Sequence, residues 1–346
     1  MDRLIIRRPD DWHLHLRDGA MLGAVLPFTA RRFARAIIMP NLVPPVTDAD
    51  HALAYRARIE KALPAGARFT PLMTCYLTDD TDPDMLARAY RDRVFLAVKL
   101  YPARATTNSQ FGVSHWKNIR GVLARLEEIS MPLLIHGEEA DPAIDVFDRE
   151  AVFIDRVLSW MVRDYPGLRI VLEHVTTEHG VSFVREAGAN IAATITPHHL
   201  IINRNAIFDG GIHPHMFCLP VAKRERHRLA LRRAATSGDS HFFLGTDSAP
   251  HPVHAKEADC GCAGIFNAPA AIELYAEVFD QEGGLDRLEA FASLNGPAFY
   301  GLPVNEERLT LERAPMTVPG DVRVAGAEAV RPFRASGTIG WRIAAA

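Results

Sequence analysis

The stretch Asp11-Trp12-His13-Leu14-His15-Leu16-Arg17-Asp18 decides the fold, because it ends an apolar strand with a run of polar side chains. Residues two apart in a strand point to the same side. We therefore expect His13, His15 and Arg17 on one side, with Trp12 and the two leucines on the other. Two imidazoles on one side of a strand end form a chelating pair for a metal such as Zn²⁺. Taken alone, the pair is equally compatible with a structural role.

Other strand candidates end in the same way. Leu133–His136 and Ile170–His174 end in histidine, and Phe242–Asp247 ends in a carboxylate. Each of these residues alone is compatible with a polar group in the core. The carboxyl ends of barrel strands meet at one face, however, so together the segments predict a metal site at that face.

The rest of the chain supplies the strands and helices that such a face requires. Short runs rich in β-branched residues alternate with segments of helical periodicity. The strand candidates are Leu4–Ile6 leading to His13–Leu16, Ala36–Met39, Phe69–Thr74, Val94–Leu100, Leu133–His136, Ile170–His174, Ile191–Thr194 and Phe242–Asp247. The helix candidates include Ala49–Ala62, Pro83–Arg91, His115–Ile129, Arg149–Asp164, Thr177–Ala187, Lys223–Ser237, Ala268–Phe279 and Leu285–Leu294.

This alternation predicts the α/β class and a single (β/α)8 TIM-type barrel with its active site at the C-terminal face of the strands. No Ser/Gly-rich linker divides residues 1–346, so we expect one domain, with about 302–346 as a C-terminal extension packed on the barrel. Two polar connections, 102–114 and 196–222, are longer than a minimal barrel needs. Loops of that length are often functional.

Lys99 lies within the apolar strand candidate Val94–Leu100. Burial and a nearby divalent metal would both lower the pKa of its ammonium group and leave a neutral amine. Such a lysine forms a Schiff base in barrel aldolases, but the histidines nearby argue against that role. A neutral amine also captures CO₂, giving a carbamate whose two oxygens bridge a pair of metals. The residues alone indicate only a buried lysine near metal ligands.

Charge and composition exclude several classes of protein. The chain has 39 Lys and Arg against 42 Asp and Glu, a net charge of -3, and no basic block for binding nucleic acid. No apolar run approaches the roughly 20 residues of a membrane span, and the N-terminus lacks the apolar core of a signal peptide. Four cysteines give no disulfide framework. We expect a cytoplasmic protein that binds neither nucleic acid nor membranes.

The motifs together resemble the amidohydrolase superfamily and, within it, the dihydroorotase family in its shorter bacterial, monofunctional form. The family's ligand order is matched by His13-Leu14-His15, Lys99, His136, His174 and Asp247. Supporting strings are RRPDDWHLHLRD at 7–18, MPN at 39–41, VKLYPA at 98–103, GTDSAPH at 245–251 and CGCAG at 260–264. Matching segments run from about residue 4 to Val304 and so cover nearly the whole predicted barrel.

The resemblance implies two Zn²⁺ ions per subunit. The ligands would be His13, His15 and Asp247 for one ion, and His136 and His174 for the other. Lys99, as N6-carboxylysine, would bridge the two ions together with a hydroxide. Water bound to zinc is acidified towards neutrality and becomes a nucleophile, while the second ion polarises the substrate carbonyl. Asp247 would be the catalytic residue that passes the hydroxide's proton to the departing amide nitrogen.

The implied substrate is a small molecule of pyrimidine biosynthesis, N-carbamoyl-L-aspartate in one direction and (S)-dihydroorotate in the other. Its carboxylate needs cationic and amide donors. The residues assigned to the substrate are Arg17, Asn41 and His251, with main-chain groups near Leu219 and Ala263. Thr106 and Thr107, in the 102–114 connection, match a mobile lid. The family also suggests a homodimer.

Several histidines and cysteines have no place in this scheme. His198 and His199 look like ligands but exceed what two ions require, so we expect a structural or supporting role. His198 also stands where the family has an amide side chain. Cys260 and Cys262 match a substrate-side loop and lack the usual spacing of a zinc site. His213, His215 and His254 lie in loops, and we expect them at the surface.

Three alternatives remain open at this stage. A hydantoinase or allantoinase shares the metal ligands, although Arg17 with Asn41 favours a substrate that bears a carboxylate. A phosphotriesterase-like hydrolase shares them too, but has no use for the carboxylate-binding set. A catalytically inactive relative kept as a scaffold usually loses ligands, and here every expected ligand position is filled.

Overall fold

An eight-stranded parallel sheet forms the centre of the computed structural model, which describes residues 2–326 and 328–344. A short strand, β1 (Arg3–Arg7), lies outside this sheet. The eight parallel strands are β2 (Asp10–Leu14), β3 (Arg35–Ile38), β4 (Thr70–Tyr76), β5 (Ala97–Leu100), β6 (Leu133–Ile135), β7 (Ile170–Leu172), β8 (Ile191–Ile195) and β9 (Phe242–Leu244). Each strand pairs with the next one along the chain.

The sheet closes on itself just beyond the ends of β9 and β2. Asp247 N donates to His13 O at 2.9 Å, and His15 N donates to Ser248 O at 3.2 Å. The predicted (β/α)8 barrel is confirmed. Because the closing hydrogen bonds involve His13, His15 and Asp247 themselves, three of the proposed ligand residues are part of the seam.

Helices follow the strands around the barrel. They are α1 (Gly19–Arg32), α2 (Ala49–Ala62), α3 (Pro83–Arg91), α4 (Arg120–Glu128), α5 (Arg149–Phe153), α6 (Ser159–Asp164), α7 (Glu178–Glu186), α8 (Pro197–Ile201), α9 (Glu225–Ala235), α10 (Val253–Lys256), α11 (Ala271–Gln281) and α12 (Asn295–Tyr300). A π-helical segment, Ile154–Leu158, joins α5 to α6. The bounds of α2 and α3 are those predicted, whereas α4 begins five residues later than the predicted helix at 115.

Two apolar clusters show which side of each strand faces the barrel axis. The interior cluster takes one residue from most strands, namely Ile37, Ala97, Leu134, Val171, Ala192 and Phe243. Their neighbours along the strands belong to the larger cluster that includes the helices. Side chains alternate along a strand, so Lys99, His136 and Glu173 point inward, two residues beyond Ala97, Leu134 and Val171.

The prediction that Trp12 points away from the side of His13 is wrong. Trp12 belongs to the interior cluster and stacks on Tyr300, with ring centroids 4.5 Å apart. Leu14 lies in the outer cluster instead. The pairing of β2 with β3 shifts register between Asp11 and Leu14. Such an irregularity re-aims side chains, and here it turns both Trp12 and His13 inward.

The C-terminal segment returns to the N-terminus. Strand β10 (Arg308–Glu312) pairs antiparallel with β1, and also with β15 (Arg342–Ile343). The remaining short strands are β11 (Met316–Thr317), β12 (Val322–Arg323), β13 (Ala329–Val330) and β14 (Thr338–Ile339). Strand β1 is therefore part of this side sheet. The prediction that it leads directly into the first barrel strand is wrong.

Candidate metal centre and substrate pocket

One pocket at the carboxyl ends of the strands contains most of the residues predicted for the site. It is lined by His13, His15, Arg17, Asn41, Thr106, Thr107, His136, His174, Leu219, Asp247 and Ala263, together with Tyr101, Ala249 and Gly264. The other two predicted residues adjoin it. Lys99 is fully buried, with Nζ 4.7 Å from the ring centre of Tyr101, and His251 contacts Arg17.

Three donor atoms of His13, His15 and Asp247 form a nearly equilateral triangle. Nε2 of His13 is 3.2 Å from Nε2 of His15, and Oδ1 of Asp247 lies 3.3 Å and 3.2 Å from those two nitrogens. Ligand atoms about 2.0–2.1 Å from a tetrahedral Zn²⁺ lie about 3.3 Å apart. All three side chains are buried. The triangle therefore has the dimensions of one face of a tetrahedral metal site.

The electrostatics of the triangle favour a positive charge at this position. Burial opposes protonation of His13, but the carboxylates of Glu173 and Asp247 outweigh it and raise the pKa of His13 to about 9. Burial, with the guanidinium of Arg17 nearby, lowers the pKa of His15 to about 4. Metal ions compete with protons for imidazole nitrogens. We expect metal binding here to release the proton of His13.

His174 and His136 stand beside the triangle. Nδ1 of His174 is buried and has no hydrogen-bond partner among the described residues, and His174 forms a second group of possible ligands with His13 and Glu173. The ring centroids of His136 and His174 are 4.8 Å apart. Nε2 of His136 lies 3.0 Å from Oε2 of Glu138. A carboxylate on one ring nitrogen orients a histidine so that the other nitrogen can bind metal.

Lys99 and Glu173 face each other inside the barrel. Both are fully buried, and Nζ of Lys99 contacts Oε2 of Glu173. The other oxygen, Oε1, lies 3.0 Å from Nδ1 of His13. Burial lowers the pKa of Lys99, against the opposing effect of the Glu173 carboxylate. Glu173 was missing from the sequence-predicted site, although the alternation from Val171 would have turned it inward.

Three residues of the pocket have left-handed backbone conformations. The φ angles are 57° at Arg17, 44° at His174 and 43° at Asp247. Non-glycine residues rarely adopt this region, and such strain is concentrated at functional sites. At His174 the consequence is direct, because Glu173 already points inward and a regular strand would turn the next side chain outward. The peptide N–H of His174 is held by Oγ1 of Thr194 at 2.8 Å.

Two buried carboxylates that sequence reasoning missed hold the strand ends. Asp11 accepts the N–H of Thr246 at 2.8 Å and its hydroxyl at 2.5 Å, next to Asp247. Glu150, in α5, accepts the N–H and the hydroxyl of both Thr176 and Thr177 at 2.5–2.8 Å, just after His174. No sequence pattern reveals these links, because each joins segments that are distant in the chain.

The mouth of the pocket carries the predicted anion-binding and lid residues. NH2 of Arg17 lies 2.9 Å from Nε2 of His251. Burial, with Arg17 adjacent, lowers the pKa of His251 to about 2, so its ring is neutral and accepts this hydrogen bond. Asn41 donates to the carbonyl of Thr107 at 3.1 Å, and Oγ1 of Thr107 donates to that of Ala263 at 3.3 Å. The 102–114 loop thus lies across the pocket.

The histidines and cysteines that were left out of the predicted site do not line the pocket. His198, His199 and Cys218 form a third group of possible ligand atoms. Both ring nitrogens of His199 are within hydrogen-bond distance of partners, Oγ1 of Thr196 at 2.8 Å and the carbonyl of Pro220 at 3.0 Å, which fits a structural role. Within the described residues, no group of three donors includes Cys260 or Cys262. His213 and His254 are exposed, and His215 is half-buried beside Glu257.

Comparison with known proteins places this chain in a family. The model of the amidohydrolase family matches residues 5–310. The chain therefore belongs to the amidohydrolase family, and its relatives narrow the assignment further. The dihydroorotase of Novosphingobium aromaticivorans is 64% identical over 345 residues, which cover 100% of this chain and 99% of the relative. Within the family, the chain belongs to the dihydroorotases of the monofunctional bacterial type.

Solved structures agree with that placement. A dihydroorotase from Saccharomyces cerevisiae, in complex with 5-fluoroorotic acid, has a TM-score of 0.92 and 32% identity, covering 99% of both chains. A dihydroorotase from Campylobacter jejuni has a TM-score of 0.91 and 36% identity, covering 99% of this chain and 98% of that one. An L-hydantoinase from Arthrobacter aurescens, at 15% identity and a TM-score of 0.79, shares the fold.

Proposed function

We propose that this chain catalyses the reversible, zinc-dependent cyclisation of N-carbamoyl-L-aspartate to (S)-dihydroorotate in pyrimidine biosynthesis. The observation that carries the proposal is the triangle of donor atoms on His13, His15 and Asp247, which shares one pocket with the guanidinium of Arg17. Family membership supports the reaction, because relatives 62–64% identical over nearly the full length are dihydroorotases.

The donor set of the pocket fits two Zn²⁺ ions. His13, His15 and Asp247 would hold one, and His136 and His174 would hold the other, with Lys99 as N6-carboxylysine between them. Zinc prefers imidazole and carboxylate donors. The buried Nδ1 of His174 has no hydrogen-bond partner among the described residues, so it is available to bind a metal. Bound zinc would acidify a water molecule and polarise the substrate carbonyl.

Carboxylation of Lys99 requires an uncharged amine, which burial of this side chain favours. The lone pair of Nζ would form a bond to the carbon of CO₂, one N–H proton would pass to a water molecule acting as base, and the product would be a carbamate anion. The carbamate nitrogen keeps one N–H. Glu173 already contacts Nζ in the unmodified side chain, so it is placed to accept from that N–H.

Asp247 would move the proton of the reaction. In the hydrolytic direction its carboxylate would accept a proton from the attacking water and deliver it to the departing ring nitrogen, and cyclisation would reverse both transfers. Burial opposes ionisation of Asp247, but His13 and His15 outweigh it and hold its pKa well below the usual range. The side chain is therefore in the ionised form that a proton acceptor needs.

Arg17 and Asn41 would bind the substrate carboxylate, since a guanidinium and an amide provide directed donors. His251 would complete this site by accepting from NH2 of Arg17 and so holding the guanidinium in place. Main-chain groups near Leu219 and Ala263 would hold the amide edges of the ring. Thr106 and Thr107 would close over the substrate and exclude water, a role that their position across the pocket supports.

We also propose that the enzyme works as a cytoplasmic homodimer of single-domain subunits. All four cysteines are free, which fits a reducing compartment. The pairing of β10 with β1 supports one domain, because it ties the extension to the start of the chain. Light scattering should give about twice the subunit mass of 38.3 kDa. A mass of one subunit at micromolar concentration would contradict the dimer.

Comparing the turnover of two cyclic amides tests the proposed reaction. The zinc-loaded protein should hydrolyse dihydroorotate and leave hydantoin, which has no carboxylate for Arg17, nearly untouched. Turnover of hydantoin with dihydroorotate inert would favour a hydantoinase. Substoichiometric zinc with neither substrate turned over would favour an inactive scaffold. Metal content measured on the same sample separates a failed loading from a failed reaction.

A further inference from the structure

A buried lysine outside the catalytic residues joins the two loops that line the substrate side of the pocket. Lys256, the last residue of α10, is 3% exposed. Its Nζ donates to the carbonyls of Phe217 at 2.7 Å, Cys262 at 2.8 Å and Gly264 at 2.8 Å. A lysine ammonium has three N–H donors and no acceptor, so every donor is used.

The three carbonyls belong to the two segments that carry Leu219 and Ala263. Phe217 lies two residues before Leu219, and Cys262 and Gly264 flank Ala263 on both sides. Leu219 and Ala263 both line the pocket. A main-chain hydrogen bond from Gly264 N to Phe217 O, 3.1 Å long, also joins the segments. The ammonium therefore fixes the spacing of the main-chain groups on that side.

Apart from the three carbonyls, the ammonium of Lys256 faces the ring of Phe217, whose centre is 5.8 Å from Nζ. Among the described residues, no carboxylate lies within ion-pair distance of Nζ, in contrast to Lys99 and its neighbour Glu173. Burial lowers the pKa of Lys256 to about 8, so the side chain keeps its three protons at pH 7. Burying a cation without a carboxylate partner is costly, and three short carbonyl contacts are what offset that cost here.

We propose that Lys256 is a positioning residue for substrate binding, which sets the main-chain groups of Leu219 and Ala263 at the spacing that the ring's amide edges require. The proposal rests on the proposed function, since those main-chain groups are taken to hold the ring. Lys256 itself does not line the pocket, so its influence passes through the two loops.

Lys256→Met tests the proposal, because methionine keeps a similar length and removes all three donors. We expect KM for dihydroorotate to rise about tenfold or more with kcat within about threefold, since contacts made equally in the ground and transition states affect KM. Two zinc ions per subunit should remain, because no proposed ligand lies on either loop. Amide hydrogen exchange should accelerate in 214–222 and 259–266 and stay unchanged in the barrel strands.

Asn295→Leu is the matched control. Its side-chain N–H donates to the carbonyl of Phe242 at 3.0 Å, at the opposite end of β9 from Asp247, so its loss removes a donor to backbone without touching the pocket. This variant should lower the melting temperature with KM unchanged. If Lys256→Met does not fold, Lys256→Gln, which keeps two N–H donors, should show a smaller rise in KM and the same localised exchange.

An unchanged KM, or exchange that accelerates evenly over the whole chain, would overturn the proposal. Failure of both variants to fold would overturn it too, because Lys256 would then serve the stability of the barrel as a whole. The exchange measurement requires no activity. A wild-type protein inactive towards dihydroorotate would therefore refute the proposed reaction, while the exchange data would still decide the role of Lys256 in ordering the loops.

Discussion

Oε1 of Glu173 lies 3.0 Å from Nδ1 of His13, on the side of the imidazole opposite Asp247. Each ring nitrogen of His13 thus lies beside a carboxylate oxygen, and against the effect of burial the charges of Glu173 and Asp247 raise the pKa of His13. Carboxylate partners of this kind orient a metal-binding histidine and raise its basicity. The same carboxylate contacts Lys99, so Glu173 links two of the proposed ligand residues.

Glu173→Gln should weaken zinc binding by about 10- to 100-fold, the usual effect of losing such a partner. The measurement is zinc competition against a chelator of known affinity, which does not depend on catalysis. Glu178→Gln is the control and should bind zinc normally, because this glutamate, five residues later, has a 47% exposed side chain that pairs with Arg226. Equal zinc affinity in wild type and Glu173→Gln would remove Glu173 from the metal centre.

Asp247→Asn should lower kcat by about 10²- to 10⁴-fold, the range that general acid–base groups contribute. An amide of the same shape keeps an oxygen near His13 and His15 but cannot carry the proton. KM should change much less than kcat. Steady-state kinetics on zinc-matched samples measure both, and a near-normal kcat would exclude Asp247 as the proton carrier.

Arg17→Met should raise KM for dihydroorotate by about 10- to 100-fold, because a hydrogen bond to a charged group contributes about 1.5–3 kcal/mol. Zinc content should stay the same. Arg58→Met is the comparison, since Arg58 pairs with Asp18 outside the pocket and is 46% exposed. Unchanged kinetics in Arg17→Met, or an equal effect in both variants, would take Arg17 out of the carboxylate site.

Gly296→Ala should lower the free energy of unfolding by about 1–3 kcal/mol, the usual cost of overpacking a core. A Cβ at this position would lie 1.9 Å from Nε1 of Trp12 and 2.3 Å from its Cε2. Gly23→Ala lies in the middle of α1, where, apart from the helix's own backbone, no atom of the described residues is within 4 Å of the added carbon, so it should be neutral or stabilising. Urea unfolding gives both free energies, and equal stabilities would mean that Trp12 is not held against Gly296.

The sequence predicted the barrel and the metal-type side chains because both follow from strand-end chemistry. His136, Lys99 and Asp247 each stand at or just beyond a strand end, where alternation and barrel geometry determine their direction. The direction of Trp12 was not predictable in this way. A register shift in β2 changes the alternation of side chains there, and no residue type in the strand indicates such a shift.

The supporting residues were less predictable. The alternation of side chains along β7 predicts that Glu173 points inward, but a glutamate next to a histidine is not by itself a sign of a metal site. Asp11 and Glu150 act on residues far away in the chain. The acceptors of Lys256 are backbone carbonyls, which every residue carries, so no sequence pattern distinguishes them.

A crystal structure of the zinc-loaded protein, with anomalous data collected at the zinc edge, tests the central claim most directly. We expect two anomalous peaks per subunit, one bounded by His13, His15 and Asp247 and one beside His136 and His174. Density beyond Nζ of Lys99 should extend between them as a carbamate. A single peak, or an unmodified Lys99 still in contact with Glu173 in the active enzyme, would contradict the binuclear, carbamate-bridged centre.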